Sequence, residues 1–202
     1  MKLQAFNITV CPLLLLVPDM ILSNFKVRFS FSQDDIPDVK TFFLQLVFLM
    51  ITEDFAFHIF HRLAHWRVIY PYFHKVHHNY VNTVSIGAEH FHPVDYFIGI
   101  LIPGSFGPNL LGSRMHFATY LFWVLFRSGE GVDGHSGYEF PWSPFRLIPF
   151  SASASYHDYH HSHNVGNYSS FLTIWDSVFG DNNSYFKHLK NVQAEEVTPK
   201  NE

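Results

Sequence analysis

The chain of 202 residues is 48% hydrophobic and only 15% charged, with 23 phenylalanines; it has room for one domain and is apolar enough to point towards a membrane. Its formal net charge of -4, with 13 scattered basic residues, offers no basic face to nucleic acid. The single cysteine, Cys11, excludes an intramolecular disulfide and a cysteine-ligated zinc or iron–sulfur site, so a metal here is held by nitrogen, with or without oxygen.

Residues 3–22 are mostly apolar but are interrupted by Pro12 and Pro18 and carry Asn7 and Asp19, which predicts a kinked membrane segment or the remnant of one. A secretory signal fits poorly, because only Lys2 precedes the stretch and no small-residue cleavage site comes after it. Residues 25–38 read as a polar connector, and Asp38 is placed to cap a helix beginning just after it. From Lys40 the run TFFLQLVFLMITEDFAFHIFHRLAH continues for about 25 residues without Pro or Gly, long enough to cross roughly 30 Å of hydrocarbon. Glu53, Asp54 and His58 interrupt it. The two carboxylates mark either a membrane–water interface or a function, and His58 is expected to pack or to support a ligand from behind.

The last turns of that run open a histidine-rich stretch, HRLAHWRVIYPYFHKVHH over 61–78. His61 and His65 stand four apart; His74, His77 and His78 stand at spacing three and four. The segment YHDYHH over 156–161 repeats the second spacing with His157, His160 and His161. Positions three and four apart share one face of an α-helix, about 5–6 Å from each other, and neutral imidazole is the commonest metal ligand. With 15 histidines in the chain, His-x-x-His-His arises by chance less than about a tenth of a time, whereas His-x-x-x-His arises about once. The repeated box is therefore the signal. Its histidines are interleaved with Trp, Tyr, Phe and Val, unlike a solvated His-rich tract. Imidazoles alone suit iron, zinc, copper or nickel.

Between the boxes, 81–88 is loop-like and leads into EHFHP, where Glu89 and His92 form a Glu-x-x-His pair. Carboxylate-bridged di-iron bundles use that unit twice, and its single copy argues for a histidine-dominated site. Residues 95–111 and 115–126 are apolar stretches separated by Gly112, Ser113 and Arg114, and predict a helical hairpin that dips into or crosses the bilayer. Gly129, Gly131 and Gly134 spell Gly-x-Gly-x-x-Gly, but Pro141 and Pro144 stand where a dinucleotide site needs a helix, so a nicotinamide site is rejected. His135 ends this apolar segment. Asp158, inside the second box, is suited to orient a ligand imidazole. Residues 171–181 read as an amphipathic closing element, and 191–202 as a polar, frayed end.

The blocks HRLAH, FHKVHH, AEHFHP, DGHSGYEFPWSP, RLIPF, HDYHH, GNYSSF and WDSVFG succeed one another across 52–185. In order and spacing they resemble the fatty acid hydroxylase / sterol desaturase superfamily of membrane-bound non-haem di-iron enzymes, most of all its sterol 4-methyl oxidases. GNYSS and the Glu-x-x-His-Pro block lean that way. Cholesterol 25-hydroxylases share the HSGY, FPWS and RLxPF blocks, which keeps open a sterol side-chain or other lipid hydroxylase; a metal-binding relative without turnover is the reading from another class. Asp181 stands where the family usually has Thr, and Tyr156 where many members carry a further His. The amino-terminal region is short for the family, as if one membrane helix were missing or the chain truncated.

The resemblance implies an all-α integral membrane bundle with a cytosolic His-rich di-metal centre. It divides the chain into a membrane-associated segment and connector (1–39), a catalytic domain (40–186) and a polar tail (187–202). Two iron ions are implied, on His61, His65, His74, His77, His78, His135, His157, His160 and His161, with His92 added and with Glu89 and Asp158 in support. The implied reaction takes O2 and a sterol methyl group through alcohol and aldehyde to carboxylate in sterol biosynthesis. Electrons come from NAD(P)H by way of a reductase and a cytochrome b5-type carrier. The implied location is the endoplasmic reticulum membrane with the site facing the cytosol. Arg62, Arg67, Lys75, Arg127 and Arg146, which flank the histidines, agree with that orientation.

Overall fold

Asp38 starts the longest helix: its Oδ1 accepts the Thr41 backbone N–H at 2.9 Å, and no Pro or Gly interrupts the 26 residues from Val39 onward. In the computed structural model, which describes residues 1–22 and 29–197, this is α2, Val39–Ala64. The other helices are α1 (Lys2–Leu22), α3 (Pro93–Tyr96), α4 (Ile102–Leu111), α5 (Phe117–Gly134), α6 (Ala154–His163), α7 (Ile174–Phe179) and α8 (Asn183–Val197). Among the described residues there are no strands, only isolated bridges joining Ser30 to His116 and Ser151 to Leu172. The fold class is helical, as expected from the sequence.

At about 1.5 Å per residue α2 is about 39 Å long, and it is long and apolar enough to cross a membrane. Phe43, Val47, Ile51, Phe55 and Ile59, spaced by four, are each 39–59% exposed and form an apolar stripe along its outside. The opposite side buries Leu46, Leu49, Glu53, Asp54, His58 and His61. The carboxylates that interrupt the apolar run thus point inward. Asp54 Oδ1 accepts the backbone N–H groups of Ser170, Phe171 and Leu172 at 2.8–3.2 Å, and Glu53 receives Arg127 Nε of α5 at 3.0 Å.

The predicted hairpin forms with an irregular first arm. Pro103 lacks an N–H, and a π-helical turn over Phe97–Leu101 links α3 to α4 just before it. The arm then turns through Gly112, at φ 54°, into α5. Leu46, Leu49, Met115, Trp123, Phe171 and Leu172 pack between α2, this hairpin and the 171–172 segment. Trp123 and Phe126 both stack on Phe171, with centroids 5.6 and 5.7 Å away. At the amino end α1 docks through polar side chains: Asn7, fully buried, donates to the Phe91 carbonyl at 2.9 Å, and Gln4 pairs with His90 at 3.0 Å.

Two expectations change. The box at 74–78 lies on a 3₁₀ helix, His74–Asn79, not on an α-helix. At the carboxyl end α8 carries the chain to Val197 where fraying was expected from 191; its sequence holds no Pro or Gly, and Tyr185 packs on Tyr156 and Tyr159. Of the connector at 25–38, residues 25–28 lie outside the described residues; the rest contains a 3₁₀ turn, Gln33–Asp35, capped by Ser32.

The α2–α4 contact depends on Gly107, where an added Cβ meets Thr52 Oγ1 at 2.5 Å and Leu49 Cδ2 at 2.9 Å. Gly107→Ala is expected to push the two helices apart at a cost of about 1–3 kcal/mol. A thermal midpoint in detergent equal to wild type would show that the contact yields freely.

Candidate metal centre

Nine histidines converge in two groups, each with ligand atoms within 4.8 Å of one another. The first holds His61, His65, His74, His78 and His160; the second holds His77, His135, His157 and His161. Each His-x-x-His-His box is therefore divided. Its outer pair, 74 with 78 or 157 with 161, goes to one group, and its middle histidine, 77 or 160, crosses to the other. On α6 the division comes from helix geometry, because adjacent positions 160 and 161 point about 100° apart. His61 and His65, one turn apart at the end of α2, stay together, and His135 enters from the end of α5.

The rings are turned so that Nε2 faces inward. Within the second group Nε2 atoms stand 2.9 Å apart for His135 and His157, 3.1 Å for His157 and His161, and 3.3 Å for His77 and His135. In the first group His65 and His160 stand at 3.1 Å, while Nε2 of His61, His74 and His78 is buried without a partner. In five of the nine rings the other nitrogen is engaged outward, whereas Nδ1 of His77 and of His78 is buried without a partner. Nδ1 of His61 donates to the Tyr168 carbonyl (2.8 Å), of His160 to Gly166 (2.6 Å), of His135 to Gly131 (2.8 Å) and of His161 to Tyr80 (3.1 Å). Nδ1 of His74 lies 2.8 Å from Asp95 Oδ2. A neutral ring that donates from Nδ1 has only a lone pair at Nε2, so His61, His135, His160 and His161 each present a lone pair to the interior. A cation can accept these lone pairs. Ligands at about 2.1 Å from one ion stand about 3.0–3.4 Å apart in octahedral or tetrahedral arrangements, which matches the spacing here. The donor set fits two metal ions.

Burial, and after it the charge of the facing imidazoles, holds His77, His157 and His160 well below the ordinary histidine range and pushes His161 down to about 3. The rings thus remain in the neutral form that binds metal.

The remaining candidates stand elsewhere. His92, expected as a tenth ligand, joins neither group: its Nδ1 accepts the Val94 N–H at 3.2 Å as the cap of α3, and its ring lies edge-on to Phe73. Pro93 starts a helix there, and the cap turns the ring out of the site. Asp158 does not receive a ligand ring either; it accepts the Thr83 N–H at 2.9 Å and hydroxyl at 2.7 Å, fastening to α6 the loop whose Tyr80 carbonyl holds His161. Glu89 is hydrogen-bonded by Tyr96.

Carboxylates that the spacing did not mark do the supporting. Asp95 lies against His74. Asp176, fully buried, accepts the backbone N–H groups of Tyr168 (2.8 Å) and Ser169 (3.0 Å) and the Tyr156 hydroxyl (2.8 Å), and thereby sets the carbonyl that orients His61. His58 Nε2 lies 3.3 Å from Asp176 and 3.1 Å from Asp181. Both departures from the family pattern, Tyr156 and Asp181, therefore fall in this one cluster behind the ligands.

A small cavity of about 50 Å³ touches His61 and His74 of the first group and His77, His135 and His157 of the second. A second cavity of about 780 Å³ lies between α1, the 96–105 arm and α5, lined by Ile8, Ile86, Leu101, Tyr120, Trp123 and Val124 among others. Glu89, Ile100 and Arg127 line both.

His77→Ala and His160→Ala each remove the histidine that crosses between groups, and both are expected to lower metal content by elemental analysis. His92→Ala should keep the metal and cost about 0.5–2 kcal/mol for the lost cap; metal loss in that variant would return His92 to the ligand set. Acid should destabilise the chelator-stripped protein. An unfolded imidazole takes its proton near pH 6.5, whereas folded His161 resists until about 3, so the unfolded state binds more protons across that window and stability falls as pH drops below about 6.5. Equal chemical stability at pH 7.5 and 5 would contradict this.

The family described as fatty acid hydroxylase matches residues 46–181. A putative methylsterol monooxygenase of Dictyostelium discoideum is 40% identical over 156 residues, 77% of this chain and 57% of that protein. Methylsterol monooxygenase 1 of Gallus gallus is 34% identical over 157 residues, 74% of this chain and 50% of its own length. The very-long-chain aldehyde decarbonylase GL1-8 of Oryza sativa subsp. japonica is 37% identical over 158 residues, 76% of this chain and 57% of that protein. The chain spans about half the length of the curated relatives it matches. No solved structure matches. With its family match covering both histidine boxes and the segment between them, the chain belongs to the fatty acid hydroxylase family.

Proposed function

We propose that the chain is a membrane-bound non-haem di-iron monooxygenase that oxidises a sterol 4-methyl group. The observation that carries this reading is the pair of inward-facing imidazole groups, five and four histidines, beside a lipid-sized apolar cavity. The relatives named methylsterol monooxygenase support the choice of substrate. In this reading His61, His65, His74, His78 and His160 hold one iron, and His77, His135, His157 and His161 hold the other.

Bound iron supplies the activation of O2 needed to attack an unactivated C–H bond. In each turnover one oxygen atom enters the C–H bond and the other leaves as water, with two electrons and two protons taken up. The chain's own residues position the reactants and exclude water. The carbonyls of Tyr80, Gly131, Gly166 and Tyr168 keep the proton on Nδ1 of their histidines, so that Nε2 remains a ligand atom. Residues 40–186 form the catalytic domain, with 1–39 and 187–202 as its membrane-associated and polar flanks. The electron source is NAD(P)H through a reductase and a cytochrome b5-type carrier, since the chain's one glycine fingerprint falls at the end of α5 and opens no helix. The outward apolar stripe of α2 supports insertion in the endoplasmic reticulum membrane, with the histidines at the cytosolic side.

A second reading is favoured by the aldehyde decarbonylase relative: the same metal site acting on a long-chain aldehyde. Product analysis by mass spectrometry, after expression in cells that lack their own sterol 4-methyl oxidase, decides between them. Consumption of 4-methylsterols with appearance of oxidised products is expected for wild type and is lost in His77→Ala. Unchanged 4-methylsterols with loss of long-chain aldehydes would select the second reading, and zinc without iron in active protein would refute both iron assignments.

A further inference from the structure

The two cavities share a stretch of wall where the lining changes character. The larger one is walled by Ile, Leu, Trp and Val side chains, and the smaller one is bordered by histidines; at their shared edge stand Glu89 and Arg127, with Ile100. Arg127 is anchored from behind by fully buried Glu53, and its guanidinium lies over the Phe57 ring at 5.4 Å. Glu89 is hydrogen-bonded by Tyr96, yet its Oε2 is buried with no partner. A buried acceptor without a donor is costly. A plain alkyl chain drawn past it towards the histidines would leave that acceptor unsatisfied.

We propose that Glu89, with Arg127 beside it, is a polar subsite for a hydroxyl group carried next to the carbon that is oxidised. The lipid enters with its oxygen-bearing end foremost: the hydroxyl donates to Glu89 Oε2, the neighbouring carbon faces the small cavity between the histidine groups, and the hydrocarbon body fills the 780 Å³ cavity. This rests on the sterol reading and sharpens it, because a sterol with its hydroxyl on the ring carbon next to the methylated one meets the requirement. A lipid attacked at the far end of a hydrocarbon chain does not. The subsite makes Glu89 a specificity residue and not a metal ligand.

The test is equilibrium binding of two radiolabelled 4,4-dimethylsterols, one with the adjacent hydroxyl and one deoxygenated there, to the purified full chain in detergent, with metal content measured alongside. Wild type is expected to prefer the hydroxylated sterol by about tenfold or more, as for a hydrogen bond to a charged group. Glu89→Leu should bind both at the weaker affinity, and Glu89→Gln, whose amide oxygen still accepts, should keep part of the preference, each with wild-type metal content. Equal affinity of wild type for the two sterols overturns the proposal while product analysis can still uphold sterol oxidation. An undiminished preference in Glu89→Leu, or metal loss in that variant, also overturns it. Failure to bind either sterol overturns this proposal together with the sterol reading.

Discussion

The fold depends on how lone pairs are disposed at its centre. Nine imidazoles drawn from α2, the 74–79 turn, the end of α5 and α6 converge in two groups, and four of them commit their Nδ1 protons to backbone carbonyls on the outside, which leaves lone pairs at Nε2. Lone pairs gathered in this way are cohesive around cations. Because each box sends its middle histidine to the opposite group, no group belongs to one segment. An ion in either position ties α6 to the 74–79 turn, and the first also ties both to α2. Metal binding and the packing of these elements are therefore parts of one equilibrium.

The outer partners explain much of the irregular backbone. Three of the carbonyls that hold Nδ1 atoms belong to Tyr80, Gly166 and Tyr168, outside regular helices, where a carbonyl is free to turn towards a ring. The chain around 164–167 leaves α6 through Asn164, Gly166 and Asn167, all at positive φ between 54° and 62°. Gly166 is required there, since any Cβ would run into the Asp181 backbone carbonyl. Asp54 and Asp176 then secure the next residues, collecting backbone N–H groups from 168 to 172. The strain of this loop serves to aim two carbonyls at His160 and His61.

How far this was legible from the sequence differs from residue to residue. The repeated His-x-x-His-His spacing marked a histidine cluster, because positions four apart share one face of an α-helix, as His157 and His161 do on α6. The division of each box between two groups was not legible, because it depends on where the two segments meet. His92 stands apart from both groups for a local reason: the residue before a proline is pushed out of helical geometry and here becomes a cap. Asp95 and Asp176 went unnoticed because their partners, His74 and the 168–169 backbone, lie at separations that no local motif records. Glu53 and Asp54 were visible as anomalies in an apolar run, while their direction, inward to Arg127 and to the 170–172 backbone, is a tertiary fact.

Helix α2 joins these levels, since one element carries the apolar stripe outside and most of the ionisable groups inside. Turning it by one residue, about 100°, would bring Glu53 and Asp54 towards the outer surface and His61 away from its group. The hydrophobic pattern and the histidine register are thus the same constraint read on opposite faces. Gly107 lets α4 approach closely enough to hold that rotation, and the Glu53–Arg127 pair locks it from α5 at the edge of the cavity. A buried ion pair contributes little net stability, but here it fixes the orientation in which an apolar helix delivers His61 and His65 to the histidine cluster.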